Sequence, residues 1–363
     1  MKYKIDKNLR PVYLQIYKQI KEDIINGVYL FNTKLPSKRL LADETKTSII
    51  TIEHAYDLLC EEGYVEARER SGYFVVFRKS DGFVKPLELT APSNFLSFQT
   101  HSRFDFPFSV LSKTMRSVLT NYGEEILSKS PNFGRDELRV AIKDYLARNR
   151  GINVEIDQII IGSGAEYLYG LIIELMGRDK IYGIETPSYK QIEQVYNANE
   201  VQVEKLLLTN DGIDSLALAS SKAHVLHTTP FRSYPSGVTA SATKRHEYIS
   251  WASKNNRFII EDDFESEFSI STKWEDTLFS LSDNDNVIYL NTFSKTISPS
   301  LRVGYMVLPK KLIGEFNSKL GFYSCTVPTF EQIVIAKLLV NGDFERHVNR
   351  VRRLKRKIVR NNL

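Results

Sequence analysis

The residues with the clearest chemical potential lie late in the chain, where Tyr289-Leu290-Asn291-Thr292-Phe293-Ser294-Lys295 is followed by Pro299 and by Leu301-Arg302-Val303-Gly304-Tyr305. This pattern reads as a strand end that delivers Lys295 into a cleft, with Arg302 seven residues later. A lysine amine in its neutral form can make a Schiff base with an aldehyde cofactor. A guanidinium is a planar donor fork that suits a phosphate, and Thr292 adds a hydroxyl nearby. Lys and Arg at this spacing are common on surfaces, so the chemistry needs partners elsewhere in the chain.

Two segments offer them. Gly162-Ser163-Gly164-Ala165 lies between an apolar run and a helical pattern carrying Leu168, Leu171, Ile172 and Leu175. Small residues at a helix N-terminus can bind phosphate through backbone N–H groups and the helix dipole; an ordinary Gly-rich strand-to-helix turn fits the same residues. Ile259-Ile260-Glu261-Asp262-Asp263-Phe264 reads as a buried strand ending in carboxylates. An Asp there can pair with a protonated pyridine nitrogen and hold the ring as an electron sink. Acidic strand ends also serve metals or simply face water, but no His cluster accompanies these, which argues against a metal.

The elements that must position these groups read as an α/β domain. Apolar runs at Ile159-Ile160-Ile161, Lys180–Ile184, Val225-Leu226-His227, Arg257–Ile260 and Val287–Leu290 have the look of buried strands, and helical stretches separate most of them. That alternation predicts a largely parallel sheet. A basic cluster from Arg346 to Arg360 carries Val348, Val351, Leu354 and Ile358 at helical spacing, so it reads as the solvated face of a helix.

The first 77 residues are organised differently. Leu14, Ile16, Tyr17, Ile20, Ile24 and Ile25 recur at helical spacing between Pro11 and Gly27. Ser37 is placed to cap a second helix through Ala42, and Ser48 a third carrying Ile52, Ala55, Tyr56, Leu58 and Leu59 and ending at Gly63. Two extended segments around Arg68-Glu69-Arg70-Ser71-Gly72 make a hairpin. Three helices and a hairpin in this order form a winged helix-turn-helix, whose second motif helix can enter a DNA major groove. Ser48, Ile49, Thr51 and His54 stand at or near its leading end; Lys38, Arg39, Arg68 and Arg70 suit phosphates, with Gly72 in the wing. A helical module that packs on a partner protein would be a strong alternative for the three helices alone. Between the two regions, residues 78–98 hold Asp81-Gly82, Pro86, Pro92 and Ser93 and read as a linker.

Bulk properties agree with two domains in 363 residues. With 42% hydrophobic and 26% charged residues the chain is globular, and a net charge of +5 permits nucleic-acid binding without requiring it. Cys60 and Cys325 belong to no paired motif, the first residues contain no apolar leader, and no uninterrupted apolar stretch is long enough to cross a bilayer. These features lead us to expect a cytoplasmic protein.

The head resembles the GntR family over residues 9–77, on Pro11-Val12-Tyr13, Leu35-Pro36-Ser37-Lys38-Arg39-Leu40-Leu41-Ala42, Thr51, Ala55-Tyr56, Glu62-Gly63-Tyr64 and Gly72-Tyr73-Phe74-Val75. Many members carry Arg where this chain has Ile49, which can touch a thymine methyl but cannot make the bidentate guanine contact. Roughly residues 99–360 resemble fold-type I pyridoxal-phosphate enzymes of the aminotransferase class. That likeness rests on Asn132-Phe133-Gly134, Leu138-Arg139, Glu185-Thr186-Pro187-Ser188-Tyr189, Thr229-Pro230, Tyr234-Pro235-Ser236-Gly237 and Thr292-Phe293-Ser294-Lys295. The joined layout, 1–77, 78–98 and 99–363, is that of the MocR subgroup of regulators.

The resemblance implies a homodimeric DNA-binding regulator that uses pyridoxal 5'-phosphate to sense an amino compound. It makes Lys295 the Schiff-base lysine, Asp262 the partner of the pyridine nitrogen and Tyr189 the ring-stacking aromatic; Ser163, Gly164, Ala165, Thr292 and Arg302 match phosphate-binding positions. A PLP-dependent aminotransferase carrying a DNA-binding head, or a regulator with a vestigial cofactor domain, are the alternatives. Departures bear on mechanism. Phe264 stands where members usually have the Tyr that donates to the cofactor's ring hydroxyl, and Arg232-Ser233 where His-Gln is common. The segment from Arg346 to Leu363 resembles the helix leading into a small C-terminal subdomain, which is expected to be missing together with its carboxylate-clamping Arg.

Overall fold

The computed structural model describes residues 3, 5–6, 11–69, 71–77, 105–264, 266–269 and 275–361. Arg70 and the whole of 78–98 lie outside the described residues. The chain divides into two compact units, Met1–Phe98 and Gln99–Leu363.

In the smaller unit, α1 (Val12–Ile25) starts directly after Pro11 and buries Ile16, Tyr17, Ile20 and Ile24 on one face. α2 (Lys38–Thr45) is capped by Ser37, whose hydroxyl accepts from the Leu40 N–H at 3.2 Å. It ends at Lys46 in the left-handed conformation, φ 51°. α3 (Ile49–Glu61) is capped by Ser48, which accepts from the Thr51 N–H at 3.1 Å. Such caps satisfy N–H groups that the helix leaves open, each worth about 1 kcal/mol. The chain then reverses into β1 (Val65–Arg68) and β2 (Gly72–Val75), antiparallel with Val65 opposite Val75. Ile16, Ile20, Leu41, Ile52, Tyr56, Leu59 and Val75 close the core. The Tyr56 hydroxyl donates to the Pro36 carbonyl at 2.8 Å and so ties α3 to the approach of α2. This is the expected winged helix-turn-helix.

The larger unit opens with α4 (Phe108–Tyr122), α5 (Asp136–Arg150), β3 (Ile159–Gly162), α6 (Ala165–Met176), β4 (Ile181–Thr186) and α7 (Lys190–Ala198). It continues with β5 (Gln202–Thr209), β6 (Gly212–Ile213), α8 (Ser215–Ser220), β7 (Val225–Thr228), α9 (Ala242–Lys254) and β8 (Phe258–Asp262). Last come α10 (Leu278–Leu281), β9 (Val287–Thr292), β10 (Gly304–Val307), α11 (Lys310–Leu320), α12 (Thr329–Val340) and α13 (Asp343–Asn361).

The sheet order is β3-β10-β9-β8-β7-β4-β5-β6, with β5, β4, β7, β8 and β9 parallel and β10 antiparallel to both its neighbours. Apolar clusters cover both faces, which is why β3, β7, β9 and β10 are buried along their whole length. The α/β reading with a mostly parallel sheet therefore holds. Three strands escaped the sequence. In β5 the polar Gln202, Glu204 and Lys205 interrupt the apolar run because much of the strand is not buried; β6 has only two residues. β10 is hidden inside the stretch after Arg302 that attracts attention as a motif. On α13, Val348 and Val351 are buried, while Arg350 and Arg352 donate to the carbonyls of Asp105 and Glu267, each at 2.6 Å.

In open parallel sheets ligands bind beyond the carboxyl ends of the strands. Here those ends carry Glu185 and Thr186, Thr228, Asp262 and Thr292.

Candidate functional site

A cavity of about 380 Å³ lies in the larger unit. Asp262 reaches it from the end of β8, Thr292 from the end of β9, and Ser294 and Lys295 from the turn that follows. Ala165, Glu166 and Tyr169 come from the first turns of α6, Tyr189 from the residue preceding α7, Phe264 from just beyond β8, and Arg302 from two residues before β10. The Lys295 ammonium lies 5.6 Å from the centre of the Phe264 ring.

Asp262 is buried, and its two oxygens are treated differently. Oδ2 accepts from the Tyr169 hydroxyl and lies 3.6 Å from His227 Nε2. Oδ1 is buried with no hydrogen-bond partner. His227 is fixed in turn by a 2.7 Å hydrogen bond between its Nδ1 and the Tyr196 hydroxyl. Burial, then the Asp262 charge, raise the Tyr169 hydroxyl well above its ordinary range, so it stays a proton donor to the carboxylate. An open carboxylate oxygen in an apolar surrounding costs free energy unless a donor or cation meets it.

The strand-to-helix turn and Arg302 meet across the opposite end of the cavity. Gly164 has φ 97°, and a Cβ built on it would lie 2.9 Å from Arg302 Nη2. Glycine is thus what lets the guanidinium lie against the start of α6. Arg302 is itself left-handed, φ 50°. It donates to the Ser163 carbonyl at 3.4 Å and to Glu166 Oε2 at 2.8 Å. Burial is the largest single influence on Glu166 and opposes its ionisation, but the hydrogen bond from Arg302, a backbone hydrogen bond and the Arg302 charge together outweigh it and hold the carboxyl below its usual range.

Strand alternation sorts the neighbouring carboxylates. Asp263 turns away from the cavity, pairs with Arg150 at 2.6 Å and accepts from the Tyr289 hydroxyl at 2.7 Å. Glu261 accepts the Leu278 and Phe279 N–H groups, both at 2.9 Å, and burial pushes its carboxyl up to about 8. Glu185 accepts from Thr228, from the Thr229 N–H at 3.2 Å and from the Ser233 hydroxyl at 2.6 Å. Burial raises it to about 7 against the pull of those donors. Among the described residues no cluster of His, Cys, Asp and Glu is arranged to hold a metal ion, and no helix is long and apolar enough to cross a membrane.

The cavity brings together Lys295, Asp262, Tyr189, Ala165, Thr292 and Arg302 of the residues singled out by sequence. Ser163 and Gly164 lie beside it through Arg302. Arg232 is not among its lining residues, and Ser233 is committed to Glu185. Sequence reasoning passed over Tyr169 and Glu166, and quoted His227 and Tyr234 within longer segments without giving either a role. Tyr169 had a readable signal, a polar group one turn into an apolar helix; His227 likewise ends an apolar run.

In the smaller unit Arg39, Ser48, Ile49, His54 and Arg68 are exposed. Lys38 is half-buried and paired with Glu53. Ser48 and Thr51 share a 2.8 Å hydroxyl hydrogen bond. At Gly72 a Cβ would meet the Lys34 side chain at 3.0 Å, so glycine there admits the neighbouring strand-like segment into the wing.

Two family models match in tandem, "Bacterial regulatory proteins, gntR family" over residues 12–75 and "Aminotransferase class I and II" over residues 101–361. The fold and cavity thus define an aminotransferase-like α/β domain preceded by a winged helix-turn-helix. The chain is similar to the uncharacterized HTH-type transcriptional regulator YdeL of Bacillus subtilis, 32% identical over 357 residues that cover 96% of this chain and 77% of YdeL. The probable rhizopine catabolism regulatory protein MocR of Rhizobium meliloti is 24% identical over 95% of this chain and 75% of its own length. The pyridoxine biosynthesis regulator PdxR of Corynebacterium glutamicum is 27% identical, with 94% and 76% covered. Among solved structures, Pyrococcus horikoshii kynurenine aminotransferase superposes with a TM-score of 0.61 and 26% identity, covering 68% of this chain. This chain spans under two thirds of that enzyme, 64%. The chain belongs to the GntR family of transcriptional regulators, in the MocR and PdxR type that joins the DNA-binding head to an aminotransferase-like domain.

Proposed function

We propose that this regulator binds pyridoxal 5'-phosphate in the cavity at Lys295 and uses it to sense an amino compound, with DNA binding by the head as the output. The observation that carries this reading is the buried, unpartnered Oδ1 of Asp262 in a cavity that also holds Lys295 and Arg302. A protonated pyridine nitrogen supplies the cation that such an oxygen lacks. When bound, the cofactor supplies an aldehyde that a primary amine can engage covalently.

The chain's own groups then have distinct tasks. Lys295 offers the amine that anchors the aldehyde carbon. Asp262, held by the Tyr169 hydroxyl with His227 3.6 Å away, keeps a proton on the ring nitrogen. Tyr189 stacks on the ring, and Tyr234, edge-on to Tyr189 at 6.0 Å, supports it. Ser163, Gly164, Ala165, Thr292 and Arg302 take the phosphate. The Arg302–Glu166 pair is partly exposed and so is worth about 1 kcal/mol or less; a phosphate with two charges displaces Glu166 at small cost. Residues 1–77 are the DNA-binding unit, 78–98 the linker and 99–363 the cofactor unit of a cytoplasmic homodimer. An effector shifts DNA binding only by its differential affinity for the protein's two conformations.

The test is absorption spectroscopy of the whole chain titrated with pyridoxal phosphate, beside Lys295→Ala. A visible band that saturates in the wild type and is absent from the variant is expected. No band at any cofactor concentration would overturn the reading. Sustained transamination of mixed amino acids would replace the sensor by an enzyme.

A further inference from the structure

We propose that the leading end of α3 recognises thymine methyl groups, so that Ile49 and Ile50 set operator specificity by apolar contact. This rests on DNA binding by the head. Ile49 is 45% and Ile50 63% exposed, although both are aliphatic and both begin a helix that buries Ile52, Ala55, Tyr56 and Leu59 in the core and packs Leu58 and Cys60 against it. Nothing in the core's packing calls for isoleucine at these two positions.

The polar side chains around them are engaged within the head. The Ser48 hydroxyl caps the helix and is shared with Thr51. Lys38 is paired with Glu53, one turn into α3. The His54 ring stands edge-on to Tyr13 with centres 5.8 Å apart. Arg39 on α2 is an exposed cation, and so is Arg68 in the wing, which lies 3.7 Å from Glu66 and over the Phe74 ring; both suit phosphates. Charge complementarity therefore points to DNA as the occupant, rather than to an apolar protein surface. Within the major groove the thymine C5-methyl is the apolar group on a base edge, whereas guanine, adenine and cytosine are read by hydrogen bonds that isoleucine cannot make.

The experiment uses the whole protein and duplexes selected from a randomised library. Affinities are measured at one fixed salt concentration for the selected duplex and for copies in which single thymines are replaced by deoxyuridine, which removes only the methyl. A loss of about fourfold per methyl is expected at one or two adjacent positions, the size of one buried methyl-sized group. Ile49→Ala should bind the thymine and deoxyuridine duplexes alike at the position that Ile49 reads, and Ile49→Arg should move selection there toward guanine. Both replacements are at an exposed site and should leave the circular dichroism spectrum unchanged. Selective binding that is indifferent to deoxyuridine at every position overturns methyl readout while leaving DNA binding intact. Failure to select any duplex, even at low salt, overturns DNA binding itself and methyl readout with it.

Discussion

The reading helix of the head and the cavity of the larger unit solve opposite problems with their polar groups. At the leading end of α3 the hydrogen bonds are local and closed, Ser48 with Thr51 and Lys38 with Glu53, and aliphatic side chains face outward. In the cavity the polar groups come from β8, β9, α6 and the loops after them, and buried valences stay open at Asp262 Oδ1 and Ser294 Oγ. A closed tip can recognise shape and methyl groups and folds without help. An open cavity gains more from its ligand than from itself. Substitutions should therefore cost ligand binding in the cavity and specificity at the tip.

The largest departure is expected from Asp262→Asn. The amide keeps an acceptor for Tyr169 but removes the negative charge from the cavity. A hydrogen bond to a charged group is worth about 1.5–3 kcal/mol, so pyridoxal-phosphate affinity, read from the visible band, should fall about ten- to a hundredfold. Equal affinity would mean that the open oxygen has another purpose. Gly164→Ala comes next, because its φ of 97° and its contact with Arg302 both resist a Cβ. Strain of this kind costs about 1–3 kcal/mol, visible as a lower melting temperature and about tenfold weaker cofactor binding.

Closed and open regions also differ in how they respond to pH. The carboxylates Glu185, Glu261 and Glu267 are buried and raised from 4.5 to between about 7 and about 8. For such groups the folded state keeps a proton that the unfolded chain releases, so their contribution is full below the ordinary carboxylate range and is lost as pH rises through the folded value. Unfolding free energy should thus fall as pH rises toward 8, by up to roughly 1.4 kcal/mol per pH unit for each group, and the melting temperature with it. Glu185→Gln is the clean probe: the amide accepts from Thr228 and Thr229 and donates to the reversible Ser233 hydroxyl. It should flatten part of the slope up to about 7; an unchanged slope would remove Glu185 from the account.

The same contrast explains what could be read without coordinates. The head was legible because its signals are local: Pro11 before α1, Ser37 and Ser48 as caps, Gly63 before the hairpin. Lys295, Asp262 and the turn at Gly164 were legible as pieces. Their convergence was not, because the sheet order β9-β8-β7 sets Asp262 beside His227, and the backbone of Arg302 takes a left-handed turn that no residue type announces. Nor could a run of Glu261, Asp262 and Asp263 say which carboxylate faces the cavity; the pleat of β8 decides that.

The smallest effect, and the sharpest test of how open the cavity is, belongs to Phe264. Its ring lines the cavity beside Lys295, where a tyrosine hydroxyl would be a further donor. Phe264→Tyr should tighten cofactor binding by the net worth of one hydrogen bond, about 0.5–1.5 kcal/mol or roughly two- to tenfold. It should also move the pH at which the visible band titrates, since a donor near the ring hydroxyl favours its ionised form. A shift in titration with unchanged affinity would mean that the hydroxyl meets the ring but displaces water at equal cost. No change in either would show that this cavity has dispensed with that donor. Asp262 and Arg302 would then be its principal anchors, and the contrast with the closed tip would rest on charge alone.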